Sequence, residues 1–299
     1  MTPEKAANLL KEEMPNWIKK DVQGQIAFFG GTFTGLPMEE MAAYLKAAKP
    51  YVQSGAVDGI RISTRPDCID DEILTFLAQY GVTHIELGVQ SLADDVLHAA
   101  GRGYISQTVV KSAEKIQKAG FALGMQMMPG LPLDTDEKSL MTAQKIVLLG
   151  ATETRIYPTV VIRDTPLSKL YAKDEYHPFE LEHAVNLTAN LKQFFENHSV
   201  KVLKVGLHSG QVEKDIIAGP FHPAFGQLVN SKICLDKLIA FCKENKLRDT
   251  TLLVCPKNYD ISDIVGQHRQ NLKCLMNDFA VSLKISKKEL TNQKNSIIL

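Results

Sequence analysis

The sequence predicts a parallel α/β fold, a barrel or part-barrel, with a doubly wound sheet as the alternative. Three observations carry this. Short apolar runs and amphipathic runs alternate from Gln25 to Val161 without a hairpin signal, so crossover helices must join parallel strands. The first apolar run, 25–29, closes on Gly30-Gly31, where two side chains are removed as a strand gives way to a helix. The last residues of successive strands, Phe29, Ser63, Val89, Met128 and Thr159, lie 34, 26, 39 and 31 positions apart, an irregular spacing that suits a barrel with unequal loops.

The elements follow in order. A helix is expected over 3–19, then the strand 25–29 and a helix that starts at Pro37 and stops near Lys49-Pro50. Residues 57–63 form the next strand. Asp70 or Asp71 caps a helix ending at Gly81, and 83–89 is the third strand. Helices over 93–100 and 106–119 precede the strand 121–128. A helix over 136–149 and a strand over 154–161 follow, and a helix over 180–197 with a strand over 200–207 completes a sixth unit. Beyond Ser209 the pattern changes. The turn-rich GPFHPAFG at 219–226 leads into a helix over 227–244, then a strand at 250–255, a helix at 261–276 and a strand at 280–285, with a polar tail after Ser286 that is expected to be mobile.

Composition excludes several classes. Lys plus Arg and Asp plus Glu are 34 each, so net charge implies no long-range attraction to nucleic acid or anionic lipid. No apolar run approaches membrane-spanning length, and the amino terminus mixes charges among its apolar residues, unlike a secretion signal. Five widely spaced cysteines argue against a disulfide framework and for a reducing cytoplasm.

In parallel α/β folds, chemistry sits at the carboxyl ends of strands. Gly30-Gly31 leaves carbonyl oxygens free to accept from an ammonium group, although a tight turn needing positive φ explains the same pair. The carboxamide of Gln90 can accept from one ribose hydroxyl while donating to another. Ser91 beside it reads equally as a helix cap. Arg65 can hold a carboxylate by paired hydrogen bonds, or form a rim salt bridge with Asp67 or Glu86. Gln126, set among methionines, needs a partner, either a ligand or an internal group. Arg102, Arg155, Tyr157 and Arg163 flank the same rim, and any of the arginines reads also as a solvated charge. His222 in GPFHPAFG either closes the barrel mouth or sits in a turn packed on the core. The cluster Gln267-His268-Arg269-Gln270-Asn271 reads most simply as a solvated helix face.

The ordered series IAFFGGTFTG, DGIRISTRPD, IELGVQS, GRG, MQMMPGLP and RIYPTVVIRDTPL closely resembles the radical S-adenosylmethionine superfamily, in the branch that groups the elongator catalytic subunit with oxygen-independent coproporphyrinogen oxidases. The resemblance runs from about Pro3 to Leu170, with a more distant likeness through GPFHPAFG toward Lys246. It implies a partial (β/α)6 TIM-like barrel over 1–209 that lacks its first strand, a small C-terminal α/β appendage over 210–286 and the tail over 287–299. It implies S-adenosylmethionine as cofactor. On that resemblance Gly30, Gly31 and Thr32 hold its amino group, Ser63, Gln90, Arg102 and Gln126 meet its carboxylate, ribose or neighbouring groups, and Tyr157 lies near the adenine. At Ser63 and Gln126 many relatives have carboxylates instead.

The resemblance further implies a [4Fe–4S] cluster held by a C-x3-C-x2-C triad, and here the sequence departs from it. No cysteine precedes Cys68, and Cys234 and Cys242, eight positions apart on a helix, do not replace the triad. No metal ligand and no catalytic residue is assigned. The chain is therefore expected to be an amino-terminally truncated member, with the strand at 25–29 exposed as a sheet edge that the 3–19 helix covers only in part. In complete form the implied function is cluster-dependent cleavage of S-adenosylmethionine to a deoxyadenosyl radical, with an electron donor as partner and RNA as the substrate class. Without cluster cysteines the chain is expected to be inactive in that chemistry. The alternative is a non-catalytic S-adenosylmethionine-binding adaptor. A barrel enzyme binding a phosphate ester at the Gly-Gly turn is disfavoured, because phosphate sites of barrels usually lie late in the chain.

Overall fold

The structure, a computed structural model, describes residues 1–19, 24–207, 210, 213–286 and 295–299. The chain forms two compact units, Met1–Arg155 with Phe195–Leu203, and Ile156–Phe194 with Lys204–Leu299. This division falls inside the predicted 1–209 segment. In chain order the elements are α1 (Pro3–Lys19), β1 (Gln25–Phe28), α2 (Met38–Gln53), β2 (Gly59–Thr64), α3 (Asp71–Ala78), β3 (Val82–Gln90), α4 (Asp94–Ala99), α5 (Ser106–Lys118), β4 (Ala122–Met127), α6 (Asp136–Leu148) and β5 (Glu153–Ile156). They continue with β6 (Val161–Ile162), α7 (Pro166–Ala172), α8 (Leu181–Asn197), β7 (Lys201–Val205), β8 (Ile216–Ala218), α9 (Phe225–Glu244), β9 (Thr250–Cys255), α10 (Ile261–Val265), α11 (Gln270–Phe279), β10 (Val281–Ile285) and β11 (Ser296–Ile298).

The main sheet has the order β1-β2-β3-β4-β5-β7, a curled parallel half-barrel. Helices start where the sequence supplies caps. Asp70 accepts from the Ile73 amide at 2.8 Å to open α3, and Thr135 accepts from the Lys138 amide at 3.3 Å to open α6. One face of the sheet carries Ile60, Ile62, Ile85, Leu87, Leu123 and Met125, all 1% exposed or less. Burying each such side chain contributes about 1.5–3 kcal/mol, which makes this layer the main source of stability in the first unit.

The other face is polar. Register pairs Ala27 with Arg61, Arg61 with His84 and His84 with Ala122, then Ser63 with Glu86 and Glu86 with Gly124, then Gly88 with Gln126. Parallel strands covered on both faces read as continuous apolar runs. The period-2 alternation here leaves the concave face available for chemistry.

β1 is the terminal strand of the sheet, and a cavity of about 370 Å³ lies beside it, lined by Met1, Leu9 and Leu10 together with Ile26, Phe28 and Tyr44. The Tyr44 hydroxyl donates to the Met1 carbonyl, tying the start of the chain to α2. α1 flanks this cavity, as expected, and contributes no ladder bond to β1 among the described residues.

In the second unit, Phe225, Val229 and Ile233 of α9 pack with Ala184 and Ala189 of α8. A further core joins Cys234, Leu238 and Cys242 to Leu252, Val254, Ile264, Leu275 and Val281. Its sheet has the order β10-β9-β11, with both pairings parallel.

Several boundaries differ from expectation for identifiable reasons. α2 continues past Pro50 to Gln53, because a proline in the last turn loses an amide bond but its carbonyl still accepts from Ser54 at 3.0 Å. The strand expected over 154–161 stops at Ile156 before Pro158, and Val161–Ile162 pairs antiparallel with β8 instead. The helix expected over 261–276 breaks at Gly266, φ 75°, and His268 and Arg269 take left-handed backbone. In that segment Asn271 is not solvated: it is buried, and its amide donates to the carbonyls of Ser231, Asp263 and Ile264. Residues 295–299, expected as part of a mobile tail, carry β11, and Leu299 is 3% exposed with its carbonyl accepting from the Asn258 amide at 2.8 Å. Residues 287–294 lie outside the described residues.

Candidate functional site

The Gly-Gly turn follows β1 directly. Gly30 has φ 103°, a conformation side-chain-bearing residues rarely adopt, and a Cβ placed on either Gly30 or Gly31 would meet nothing within 4 Å. The space over this turn is therefore open at both positions, for conformational reasons at Gly30 and for access at Gly31. Thr32 begins a short 3-10 turn, where its carbonyl accepts from Gly35 at 3.0 Å. The buried Thr34 hydroxyl donates to the Cys68 carbonyl and accepts from the Thr64 hydroxyl, both at 2.6 Å. This chain of hydroxyls locks the turn to the end of β2.

Gln90 ends β3 with φ 67°, a left-handed backbone on a buried non-glycine residue. The β3–β4 register shifts at this point, between Gly88 and Gln90, as a bulge does. Strain of this kind, on the order of 1–3 kcal/mol, collects at functional sites. The bend folds the carboxamide back over the strand: a Cβ on Gly88 would lie 2.7 Å from Gln90 Nε2, so a side chain at 88 would displace the carboxamide. Gln126 Nε2 donates to Gln90 Oε1 at 3.2 Å. The half-buried Gln126 thus has an internal partner, and the pair presents a fixed set of donors and acceptors at the carboxyl ends of β3 and β4.

Arg102 belongs to the same rim. Its Nε donates to the Tyr104 hydroxyl at 3.3 Å, and that hydroxyl donates to the Gly88 carbonyl at 2.7 Å. Burial pushes the Tyr104 phenol up from its ordinary value, keeping it protonated and able to donate. The guanidinium carbons of Arg65 and Arg102 lie 5.4 and 5.7 Å from the Tyr104 ring centroid. Arg65 makes two hydrogen bonds to Asp67, at 2.9 and 2.7 Å, which hold the Asp67 carboxyl below its usual range. Of the readings open for Arg65, the Asp67 salt bridge is the one formed. Ser91 acts locally, its hydroxyl accepting from the Ala93 amide at 3.2 Å.

Below this rim lies a charged floor that the sequence reading passed over. Glu86, 2% exposed, accepts from Arg155 Nε at 2.9 Å and lies 3.8 Å from Arg61 Nη1. Arg61 Nη2 pairs with Glu153 at 2.6 Å, and its Nε donates to Gln25 at 3.0 Å. Arg155 also stacks over the exposed Phe29 ring at 4.9 Å, so it is no solvated charge. Burial, with the charge of Arg61 adding, holds the His84 imidazole below its ordinary value. The signal for these residues was present: in GIRIST, THIELGVQ and ETRI the polar side chains fall on alternate positions, one face of a strand.

The structure thus bonds Gln90 to Gln126 and, through Tyr104, ties Arg102 to the β3 backbone at Gly88. Ser63 is half-buried on the polar face beside Glu86. Tyr157 falls in the second unit, where it is half-buried. There GPFHPAFG forms the expected packed turn: His222 Nδ1 accepts from the Ala224 amide at 3.0 Å, and a Cβ on Gly219 would lie 3.1 Å from the Thr159 carbonyl.

Comparison with known families accounts for this arrangement. The radical SAM superfamily model matches residues 2–146, and the model of the radical SAM C-terminal domain matches 152–234. The chain belongs to the radical SAM superfamily. This radical SAM chain is 31% identical over 216 residues to an uncharacterized protein of Methanocaldococcus jannaschii, covering 71% of this chain and 65% of that one. It is 24% identical over 160 residues to the tRNA uridine(34) acetyltransferase of the same organism, covering 52% of this chain and 28% of the relative. It is 29% identical over 187 residues to elongator complex protein 3 of Dictyostelium discoideum, covering 56% and 34%. The chain therefore spans about a third of the length of these elongator-type relatives. In fold it matches the structure of the Methanocaldococcus infernus Elp3 with an N-terminal deletion, at TM-score 0.65 and 19% identity, over 83% of this chain and 62% of that one.

The residues present fit one of the family's two groups. The open Gly30-Gly31 backbone and the bonded Gln90–Gln126 pair suit the amino-acid and ribose groups of S-adenosylmethionine. For the other group, an iron–sulfur cluster, these 299 residues contain no C-x3-C-x2-C spacing. Among the described residues no group of three or more His, Cys, Asp or Glu side chains is placed to hold a metal ion. Burial pushes the Cys68 thiol up from its ordinary value. No helix among the described residues is long and apolar enough to cross a membrane.

Proposed function

We propose that this radical SAM chain binds S-adenosylmethionine at the carboxyl ends of β1, β3 and β4, and that it serves the modification of RNA in a reducing cytoplasm. The observation that carries the binding is the conjunction of an open Gly-Gly backbone with a strained glutamine whose carboxamide is held by a second glutamine. Carbonyls at Gly30 and Gly31 accept from the ligand's ammonium group, and Gln90 and Gln126 address its ribose. Arg102 supplies a cation at the same rim. The RNA assignment rests on the printed names of relatives, a tRNA uridine(34) acetyltransferase among them.

Cleavage of the cofactor to a deoxyadenosyl radical is the family's chemistry, and within these 299 residues there is no C-x3-C-x2-C triad to hold the cluster that drives it. That observation favours, as the second reading, binding without catalysis by these residues: an adaptor that holds S-adenosylmethionine. The two readings separate in one experiment. Isothermal titration with S-adenosylmethionine in iron-free buffer is expected to show one site, and loss of heat in Gly31→Leu ties it to the turn. Absence of binding by the intact chain refutes both readings. Binding, followed by deoxyadenosine formation once iron, sulfide and dithionite are supplied, rules out the adaptor.

A further inference from the structure

We propose that Phe29 is a stacking platform for one unpaired base of an RNA, held on the polar face of the half-barrel beside the Gly-Gly turn. The inference deepens the RNA assignment and rests on it. Alternation along β1 sorts its side chains between two faces. Ile26 is buried, and Phe28 stacks on Phe33 with ring centroids 5.4 Å apart and meets the Tyr44 ring at 5.7 Å, so these two serve the apolar side. Ala27 pairs in register with Arg61 on the polar face, and Phe29, two positions on, lies over Arg155 on that same face. Phe29 directly precedes Gly30 and is 50% exposed.

The ring is held in place before anything binds. The Arg155 guanidinium carbon lies 4.9 Å from the ring centroid, and Arg155 Nε is fixed by the buried Glu86 at 2.9 Å. A platform backed by a buried ion pair needs little ordering when a ligand arrives. With the guanidinium on one side, the half of the residue that stays exposed is surface that a second flat π-system can cover. A void of about 500 Å³ runs along this face from Gln25 and Lys201 to Phe29, within the first compact unit. That volume is within the range of small-molecule pockets, roughly 300–1,000 Å³, and admits one nucleoside.

The charges along the void favour a base over a phosphate at this position. Both arginines are already engaged, Arg155 by Glu86 and Arg61 by Glu153. Asp58 and Glu153 also line the void and repel a phosphate, while the exposed Lys201 stands at the first residue of β7, away from the ring. A base carries no charge and has two π-faces, so it covers Phe29 without opposing these carboxylates. Acidic and basic residues balance over the chain, so attraction to the RNA backbone is weak and stacking must carry the affinity. The base must be unpaired, because within a duplex its faces are already covered by its neighbours.

The test is fluorescence anisotropy of a fluorescein-labelled, mixed-sequence RNA hexamer titrated with the intact chain, and of the duplex of the same sequence. The expected result is a dissociation constant of about 1 mM or tighter for the single strand, with weaker binding of the duplex. Phe29→Leu keeps an apolar side chain but removes the π-face, and is expected to weaken hexamer binding by about fivefold or more. Phe29→Trp keeps a π-face and is expected to bind at least as tightly as the wild type. Because residue 29 is half exposed, both variants should melt with the wild type, so the comparison does not turn on folding. Undiminished binding in Phe29→Leu, equal losses in Phe29→Leu and Phe29→Trp, or equal binding of the duplex overturns the platform and leaves the RNA assignment standing. No binding of the hexamer by the wild-type chain at about 1 mM overturns both.

Discussion

Gln126 Nε2 donates to Gln90 Oε1 across 3.2 Å, and Gln90 holds this bond with left-handed backbone at φ 67°. The backbone strain and the side-chain placement occur together, at the register shift between Gly88 and Gln90 where the carboxamide folds back over the strand. Gln90→Gly relieves the strain while deleting the carboxamide. Its expected outcome is an unchanged or slightly raised Tm with S-adenosylmethionine affinity at least tenfold lower, about 1.4 kcal/mol. Equal losses of stability and affinity would count against it.

Gly30 and Gly31 are expected to behave differently although they are adjacent. Gly30→Val forces a branched residue to φ 103° and should destabilise the fold by about 1–3 kcal/mol in urea titration. A Cβ at Gly31 meets no neighbour within 4 Å, so Gly31→Leu should leave the urea midpoint unchanged while abolishing ligand heat. A ligand that still binds Gly31→Leu places the cofactor elsewhere.

Glu86 is the hub of the buried charges. Glu86→Gln keeps its volume but leaves Arg155 and Arg61 facing no charge there, and breaking a buried pair destabilises by about 3–5 kcal/mol. Equilibrium unfolding measures this directly. A loss under about 1 kcal/mol would show that the arginines are already compensated by water.

His84 makes stability depend on pH. Its folded pKa lies below the ordinary 6.5, so the unfolded chain takes up the proton first, and stability is lost as pH falls below that value. The Tm of the wild-type chain should drop between pH 7 and pH 5.5, roughly the range over which an unfolded imidazole protonates. His84→Asn, which keeps an acceptor for Gln25, should flatten that slope. An identical slope in the variant would assign the effect to other groups.

Tyr104 joins the arginine rim to β3. Tyr104→Phe keeps the ring beneath Arg65 and Arg102 but withdraws the donor from the Gly88 carbonyl. The expected loss is about 1 kcal/mol of stability. S-adenosylmethionine affinity should fall in parallel, measured by titration, because the Gly88 backbone supports the folded-back carboxamide of Gln90.

The succession of strands and helices, the cap at Asp70 and the Gly-Gly turn were legible because each depends on neighbours in sequence: a period, a short side chain before a helix, two missing Cβ atoms. Gln90 and Gln126 were legible as polar residues at strand ends, although neither the bond between them nor the left-handed φ was. Arg61, His84 and Glu153 were missed and Glu86 was read only as a rim partner for Arg65, since the apolar residues of these strands drew attention away from the polar ones between them. The break at Gly266 was missed because Gly within an apolar period is often tolerated in a helix.

The sequence by itself determined the family, the parallel α/β fold and the position of the cofactor turn, all of which follow from local pattern and motif order. Only the tertiary structure decided which charges meet. Arg61, on β2, reaches Gln25 on β1, Glu86 on β3 and Glu153 on β5, and no spacing along the chain encodes that convergence. Such contacts are set by the register of curled parallel strands, in which residues many positions apart are brought within hydrogen-bond reach.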